Sequence, residues 1–479
     1  MESVPELLFI AGEWRDAKDG ARFTVEDPAD GSALAEVADA GEGDAAAALD
    51  AAVAAQAAWG ATAPRERGEL LRSAFELLTE RRDEFAQVIS LEMGKPLAEA
   101  AGEVTYGAEF FRWFSEEAVR VHGRWMSAPD GKSRLLTAKR PVGPCLFVTP
   151  WNFPLAMGTR KIGPAIAAGC TMVVKPAQQT PLTMLKLAEL LSEVGLPAGV
   201  LNVLPTTSAG PVVSALMADV RLRKVSFTGS TGVGKVLVKQ SADNLQRVSM
   251  ELGGNAPFLV FEDADIPAAV DGAMVAKMRN MGEACTSANR FLVHADVAGG
   301  FAAALGERMG ALRVGRGQDD GVQVGPLIDA AAVDSVSKLV SDAVDDGARV
   351  VTGGERAEGK GHFYPPTVLL DVPPTAEINA VEVFGPVAPI TTFTTEDEAI
   401  AAANDTEYGL ASYAYTRDLA RTLRLAEKLE FGMLGINTGL VSNPAAPFGG
   451  VKASGFGREG GFEGIEEYLD TTYVALPAG

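Results

Sequence analysis

Between residues 144 and 229 short apolar runs alternate with helix-length stretches. "CLFVTP" is followed by a helix over 155–168, "TMVVKP" by a helix over 181–194, and "VLNVLP" and "KVSFTG" each by a further helical stretch. This rhythm permits few folds. Strands that are apolar along their whole length need cover on both faces, and a helix between consecutive strands makes them parallel. A second series follows Glu251: "APFLVF", a helix over 266–280, "RFLVHA", a helix over 299–311, then "ARVVTGG" and "APITTF". Together they predict an α/β protein with two doubly wound parallel-sheet domains. At 479 residues and 47% hydrophobic content, the chain is long enough to bury both cores.

Other segments fall outside this alternation. Residues 43–59 are Ala-rich with helical periodicity, and Pro64 to about Ala100 continues as amphipathic helix. "RWMSAPDGKSRLLTAKRPVGP" has turn residues at Pro129-Asp130-Gly131 between extended arms, which predicts a projecting hairpin. The chain closes on another extended arm, "TTYVALPAG". Arms of this kind offer unpaired strand edges to a second subunit, so a small β oligomerisation extension and a homodimer or homotetramer are expected.

Charge and cysteine content narrow the function. With 42 basic against 63 acidic residues the net charge is −21, so nucleic acid is not expected as a partner. The cysteines, Cys145, Cys170 and Cys285, are odd in number and widely spaced, which suits a reducing cytoplasm better than a disulfide framework. No secretory signal and no run of about 20 apolar residues is visible, so no membrane partner is expected. His122, His294 and His362 lie far apart, and no metal site is expected.

Two stretches invite a chemical reading. In "GEACTSANR" small and polar residues surround Cys285, as in a loop running into a helix start, where the dipole would stabilise a thiolate. "FTGSTGVGK" resembles a phosphate loop, but Val236 stands where such a loop needs a Ser or Thr hydroxyl for magnesium, which argues against a nucleoside triphosphatase. What remains is a strand entering a helix whose free N–H groups begin near Ser230 and suit an anion.

"TPWNFP" with Asn152, "VSMELGGNAP" with Glu251, "GEACTSANR" with Cys285, "EVFGPV" with Glu382 and Phe384, and "PFGGVKASGFGREGG" occur in this order over nearly the whole chain. Together they resemble the aldehyde dehydrogenase superfamily. The resemblance implies that Cys285 attacks the aldehyde carbon. Asn152 and the Cys285 N–H would stabilise the oxyanion, and Glu251 would activate water against the thioester. It also implies a dinucleotide-binding domain (1–120 and 139–250), a catalytic domain (251–432) and oligomerisation arms (121–138 and 460–479). Trp151, Lys175, Gln178, Gly229, Ser230, Leu252, Glu382 and Phe384 would hold the cofactor. NAD-preferring relatives often carry Glu at the position of Gln178. Glutamine removes the repulsion a carboxylate would exert on a 2′-phosphate, so NADP is favoured, with NAD possible.

Arg160, Arg279 and Ser442 resemble the distal-carboxylate contacts of succinate-semialdehyde dehydrogenases, which implies a small acidic aldehyde as substrate. Guanidinium groups suit a carboxylate through bidentate hydrogen bonding. The competing use of each arginine is an internal ion pair. Some members of that subfamily have a second cysteine where Ser287 stands here, so a disulfide switch is not expected. Lys161 and Glu459 match positions linked to proton relay.

Overall fold

A computed structural model describes residues 4–478. The first sheet has eight strands. Their spatial order is Gly455–Phe456, Arg247–Glu251, Lys224–Thr228, Cys145–Val148, Met172–Lys175, Leu201–Val203, Leu8–Ile10 and Glu13–Arg15. The five from Arg247–Glu251 to Leu201–Val203 are mutually parallel, and antiparallel strands cover both edges. The second sheet has seven strands, ordered Arg349–Thr352, Thr367–Leu370, Val387–Phe393, Ala288–His294, Ala256–Val260, Ala411–Tyr415 and Met433–Ile436. All but the first pair of that sheet are parallel. The central strands of both sheets are buried along their length, the property that made them readable as uninterrupted apolar runs.

Several boundaries differ from the sequence expectation. The amphipathic stretch from Pro64 is three helices, Pro64–Glu80, Arg82–Met93 and Leu97–Glu117. The break after Met93 is a left-handed cap at Gly94 (φ 93°), followed by Lys95 and Pro96. The helix expected over 299–311 begins at Ala295, where His294 caps it. Two hairpin strands near the start, Arg22–Glu26 and Ala33–Ala38, were not anticipated.

The two arms pair with each other. Ser133–Pro141 lies between Arg124–Ser127 and Leu469–Pro477 in an antiparallel three-stranded sheet, with Thr137 opposite Tyr473. The strand therefore runs three residues past the boundary expected at 138. Residues 460–468 are not arm: the short helix Glu463–Glu466 and the buried Ile465 and Tyr468 pack on the first domain. Beyond 432, Met433–Ile436 still belongs to the second sheet, while Gly455–Phe456 returns to the first. That return carries Glu459 back beneath the first domain's helix Ala156–Ala168.

Candidate active site

The Cys285 loop is shaped by backbone conformation. The helix Ile266–Met278 ends, and Asn280 (φ 56°), Met281 (φ 55°) and Gly282 (φ 80°) reverse the chain in succession. Cys285 follows in a turn, and the strand Ala288–His294 begins three residues later. The expected helix start is thus corrected to a turn entering a strand, because this segment pairs between two parallel strands of the second sheet. No helix dipole supports the thiolate. Burial pushes the Cys285 thiol up to about 12; Arg160 and Arg279 pull it down, while Glu382 and Glu251 push it further up. The loop lies hard against the turn after Glu251: a Cβ on Gly254 would sit 2.1 Å from the Cys285 carbonyl oxygen.

Asn152 is held from both ends. Its Nδ2 donates to the Glu283 carbonyl (3.0 Å). Its own carbonyl accepts from Lys95 Nζ (2.8 Å) and from Asn280 Nδ2 (3.1 Å). Lys95 is fully buried and paired with Glu103 Oε2 at 2.5 Å. The other Glu103 oxygen accepts from the Leu155 and Ala156 amides at 2.9 and 3.1 Å, fixing the entry to the helix Ala156–Ala168.

Glu251 ends its strand with Oε2 unpartnered and buried. Burial first, and Glu459 next, push its carboxyl well above the ordinary range, against the pull of Arg160 and Lys161. Glu459 Oε2 lies 2.6 Å from Arg160 Nη2, and Glu459 Oε1 pairs with Lys161. Burial opposes ionisation of Glu459, but Arg160 and Lys161 prevail and hold it below the ordinary value.

Three cavities hold most of the remaining expected residues. One of about 230 Å³ brings together Cys285, Asn152, Trp151, Glu382, Phe384, Leu252, Gly229 and Ser230. A second, of about 640 Å³, is lined by Arg279, Ser442, Tyr106 and Phe153. Gln178, exposed, borders a third of about 220 Å³ with Thr207 and Glu92. Ser230 caps the helix Thr231–Ser241, accepting from Val233 N at 3.4 Å. A Cβ on Gly234 would meet Leu252 at 2.4 Å, so glycine there lets Leu252 close the cavity floor.

The residues present fit an anionic dinucleotide. Lys175 is buried with no ion pair among the described residues, and burial brings its ammonium down to about 8. Thr228 Oγ1 is buried without a partner on the wall of the Cys285 cavity. Glu382 accepts from Gly254 N at 3.0 Å, and burial raises it to about 7.

The chain matches the aldehyde dehydrogenase family over residues 14–474. It belongs to that family. A succinate-semialdehyde dehydrogenase of Paenarthrobacter nicotinovorans is 61% identical over 443 residues, 92% of this chain and 98% of the relative. A glutarate-semialdehyde dehydrogenase of Pseudomonas putida is 49% identical over 471 residues, 98% of both chains. A crystal structure of an E. coli NADP-dependent enzyme superposes with a TM-score of 0.98 at 49% identity, covering 99% of this chain and 98% of that one.

In this aldehyde dehydrogenase not every expected residue lies at one place. Arg160 lines neither of the two cavities beside Cys285 and Arg279; it is buried, paired with Glu459, and its guanidinium rests 3.8 Å over the Phe448 ring. Lys175 and Gln178 lie away from the Cys285 cavity. Lys95, Glu103 and Asn280 were missed. Glu103 left one signal: it shares a helical face with Ala100, Val104, Gly107 and Phe111, all buried. Among the described residues no helix is long and apolar enough to cross a membrane, and no cluster of His, Cys, Asp and Glu could hold a metal.

Proposed function

We propose that this aldehyde dehydrogenase oxidises succinate semialdehyde to succinate, with NADP as the favoured cofactor and NAD as the alternative. One observation carries the substrate. Among the described residues Arg279 makes no ion pair and donates no hydrogen bond, yet it sits half-buried in a cavity with Ser442. Its guanidinium stacks over Phe153 at 4.8 Å, so its N–H edge is left for a carboxylate. Arg160 Nε is also buried and unpartnered, although Glu459 balances the Arg160 charge.

Cys285 Sγ attacks the aldehyde carbon, and the thiol proton passes to Glu251. The developing oxyanion takes hydrogen bonds from Asn152 Nδ2 and the Cys285 N–H; one such donor contributes about 2.7–4 kcal/mol to the transition state. The bound dinucleotide supplies the hydride acceptor. Glu251, having passed the thiol proton on to solvent, then removes a proton from water, which attacks the thioester on Cys285; the C–S bond breaks, the acid leaves and the Cys285 thiolate is restored. Lys175, Ser230, Glu382 and Phe384 are the residues that would hold the cofactor. Gln178 offers a 2′-phosphate no opposing charge, and the E. coli structural relative is NADP-dependent.

Glutarate semialdehyde is the second reading, favoured by the roomy 640 Å³ cavity and by the Pseudomonas putida relative. An aldehyde panel of succinate semialdehyde, glutarate semialdehyde and butanal, run with each cofactor, separates these. Equal kcat/KM for butanal and succinate semialdehyde would sink the acidic-substrate assignment.

The same proposal includes assembly as a homodimer or homotetramer. The three-stranded arm sheet exposes Met126 and Tyr473 on one face and Trp125 on the other, apolar surface suited to a second copy. Light scattering that returns a monomer mass would refute this. Three free thiols suit a cytoplasmic location.

A further inference from the structure

We infer that Tyr106 is a further specificity-determining residue, its hydroxyl hydrogen-bonding the distal carboxylate of the substrate. This rests on the reading of Arg279 and Ser442 as the carboxylate site.

Tyr106 lies on the helix Leu97–Glu117 and lines the cavity that holds Arg279 and Ser442. Its hydroxyl is buried and has no hydrogen-bond partner. Buried hydroxyls are almost always paired, and an orphan at a cavity wall points to a ligand. The ring is fixed edge-on against Phe110, with centroids 5.1 Å apart at 78°. The Arg279 guanidinium sits 5.5 Å from the Tyr106 ring centroid and 4.8 Å from that of Phe153. Those two faces hold the cation without using its N–H groups.

A phenylalanine would offer the same face, so the cation does not explain the hydroxyl. The acidic groups on the same wall do not explain it either. Both Glu103 oxygens are taken, by Lys95 and by the Leu155 and Ala156 amides, Glu99 Oε2 accepts from the Asn280 N–H, Asp271 pairs with Arg308, and none of the three accepts from the Tyr106 hydroxyl. The remaining acceptor is one that arrives in the cavity. A carboxylate offers about four lone-pair sites. The Arg279 fork, the Ser442 hydroxyl and the Tyr106 hydroxyl together match that number. An uncharged aldehyde would leave these donors unsatisfied, the arrangement that rejects analogues most strongly.

Tyr106→Phe removes one oxygen and keeps the ring, so the fold and the stacking on Arg279 are retained. Its kcat/KM should fall about tenfold to a hundredfold for succinate semialdehyde, through KM, and stay within about twofold for butanal. Thermal stabilisation by succinate, used as a product probe, should also shrink in Tyr106→Phe. Arg279→Met is measured beside it. If Arg279→Met is selective for the acidic substrate while Tyr106→Phe changes neither substrate, the Tyr106 role is overturned and the carboxylate site stands. If Arg279→Met loses equally on both substrates, the carboxylate reading fails and the Tyr106 role falls with it. Equal losses on both substrates in Tyr106→Phe would overturn the role in favour of a structural one.

Discussion

Arg160 and Glu459 form a buried ion pair at 2.6 Å, and the same carboxylate also holds Lys161. Two cations therefore share one anion directly beside the proposed base, Glu251, whose carboxyl Glu459 helps push up. The pair explains how an arginine is kept in a closed interior: Glu459 neutralises it while leaving Nε without a partner.

Glu459→Gln should move the base. Removing this anion takes away a group that raises Glu251 and frees Arg160 and Lys161 to act on it. The Glu251 pKa falls, so the acid-side limb of the kcat profile should shift to lower pH. The uncompensated cations should also cost about 3–5 kcal/mol in stability. A pH–rate profile and a denaturant titration check the two effects separately; an alkaline shift of that limb contradicts the arrangement.

The Cys285 thiol, pushed up to about 12, should be protonated in the free enzyme at neutral pH. Inactivation by iodoacetamide should then rise about tenfold per pH unit through the alkaline range, since only the thiolate reacts. A plateau already reached below pH 8 would show a stabilised thiolate, as at a helix start. Cys285→Ala should abolish aldehyde oxidation. Glu251→Gln should give one burst of reduced cofactor and then stall, which stopped-flow absorbance resolves.

Lys175 predicts a pH dependence of cofactor binding. Its ammonium lies at about 8 in the free protein, below the ordinary 10.5, because burial disfavours the charge. A bound phosphate-bearing dinucleotide raises it, so binding takes up a proton between pH 8 and the bound value. Affinity should be flat below pH 8 and fall above it. Lys175→Met should bind more weakly, with no such fall. Calorimetry in buffers of different ionisation enthalpy measures the proton uptake directly.

Lys95→Met should destabilise the protein by about 3–5 kcal/mol, because Glu103 is left as a buried unpaired charge. The double variant Lys95→Met/Glu103→Gln should recover part of that stability. It should not recover kcat, since the Asn152 carbonyl has still lost its ammonium donor. Chemical denaturation and steady-state kinetics on the two variants test this; recovery of both quantities would mean that Lys95 acts on stability alone.

Gln178→Glu should shift preference from NADP toward NAD by placing a carboxylate against the 2′-phosphate. The ratio of kcat/KM for the two cofactors is the readout. A wild type with strong NAD preference would refute the role given to Gln178.

What the sequence by itself determined is the part governed by neighbours along the chain. Uninterrupted apolar strands such as Cys145–Val148 and Ala256–Val260 announce a parallel sheet, because their burial on both faces is written into consecutive residues. The ordered motifs around Asn152, Glu251 and Cys285 identify the chemistry for the same reason. The N-terminal strand Leu8–Ile10 was illegible because three residues carry no period, and its place depends on Leu201–Val203 almost two hundred residues away. Only the tertiary structure decided the charge relationships. Whether Arg160 meets a substrate or Glu459, and whether Lys95 can reach the Asn152 carbonyl, depends on segments remote in the chain that converge on the helix Ala156–Ala168. Whether Cys285 starts a helix or enters a strand depended on its sheet neighbours, Ala256–Val260 and Val387–Phe393, since three left-handed residues before it leave the strand pairing to fix the turn.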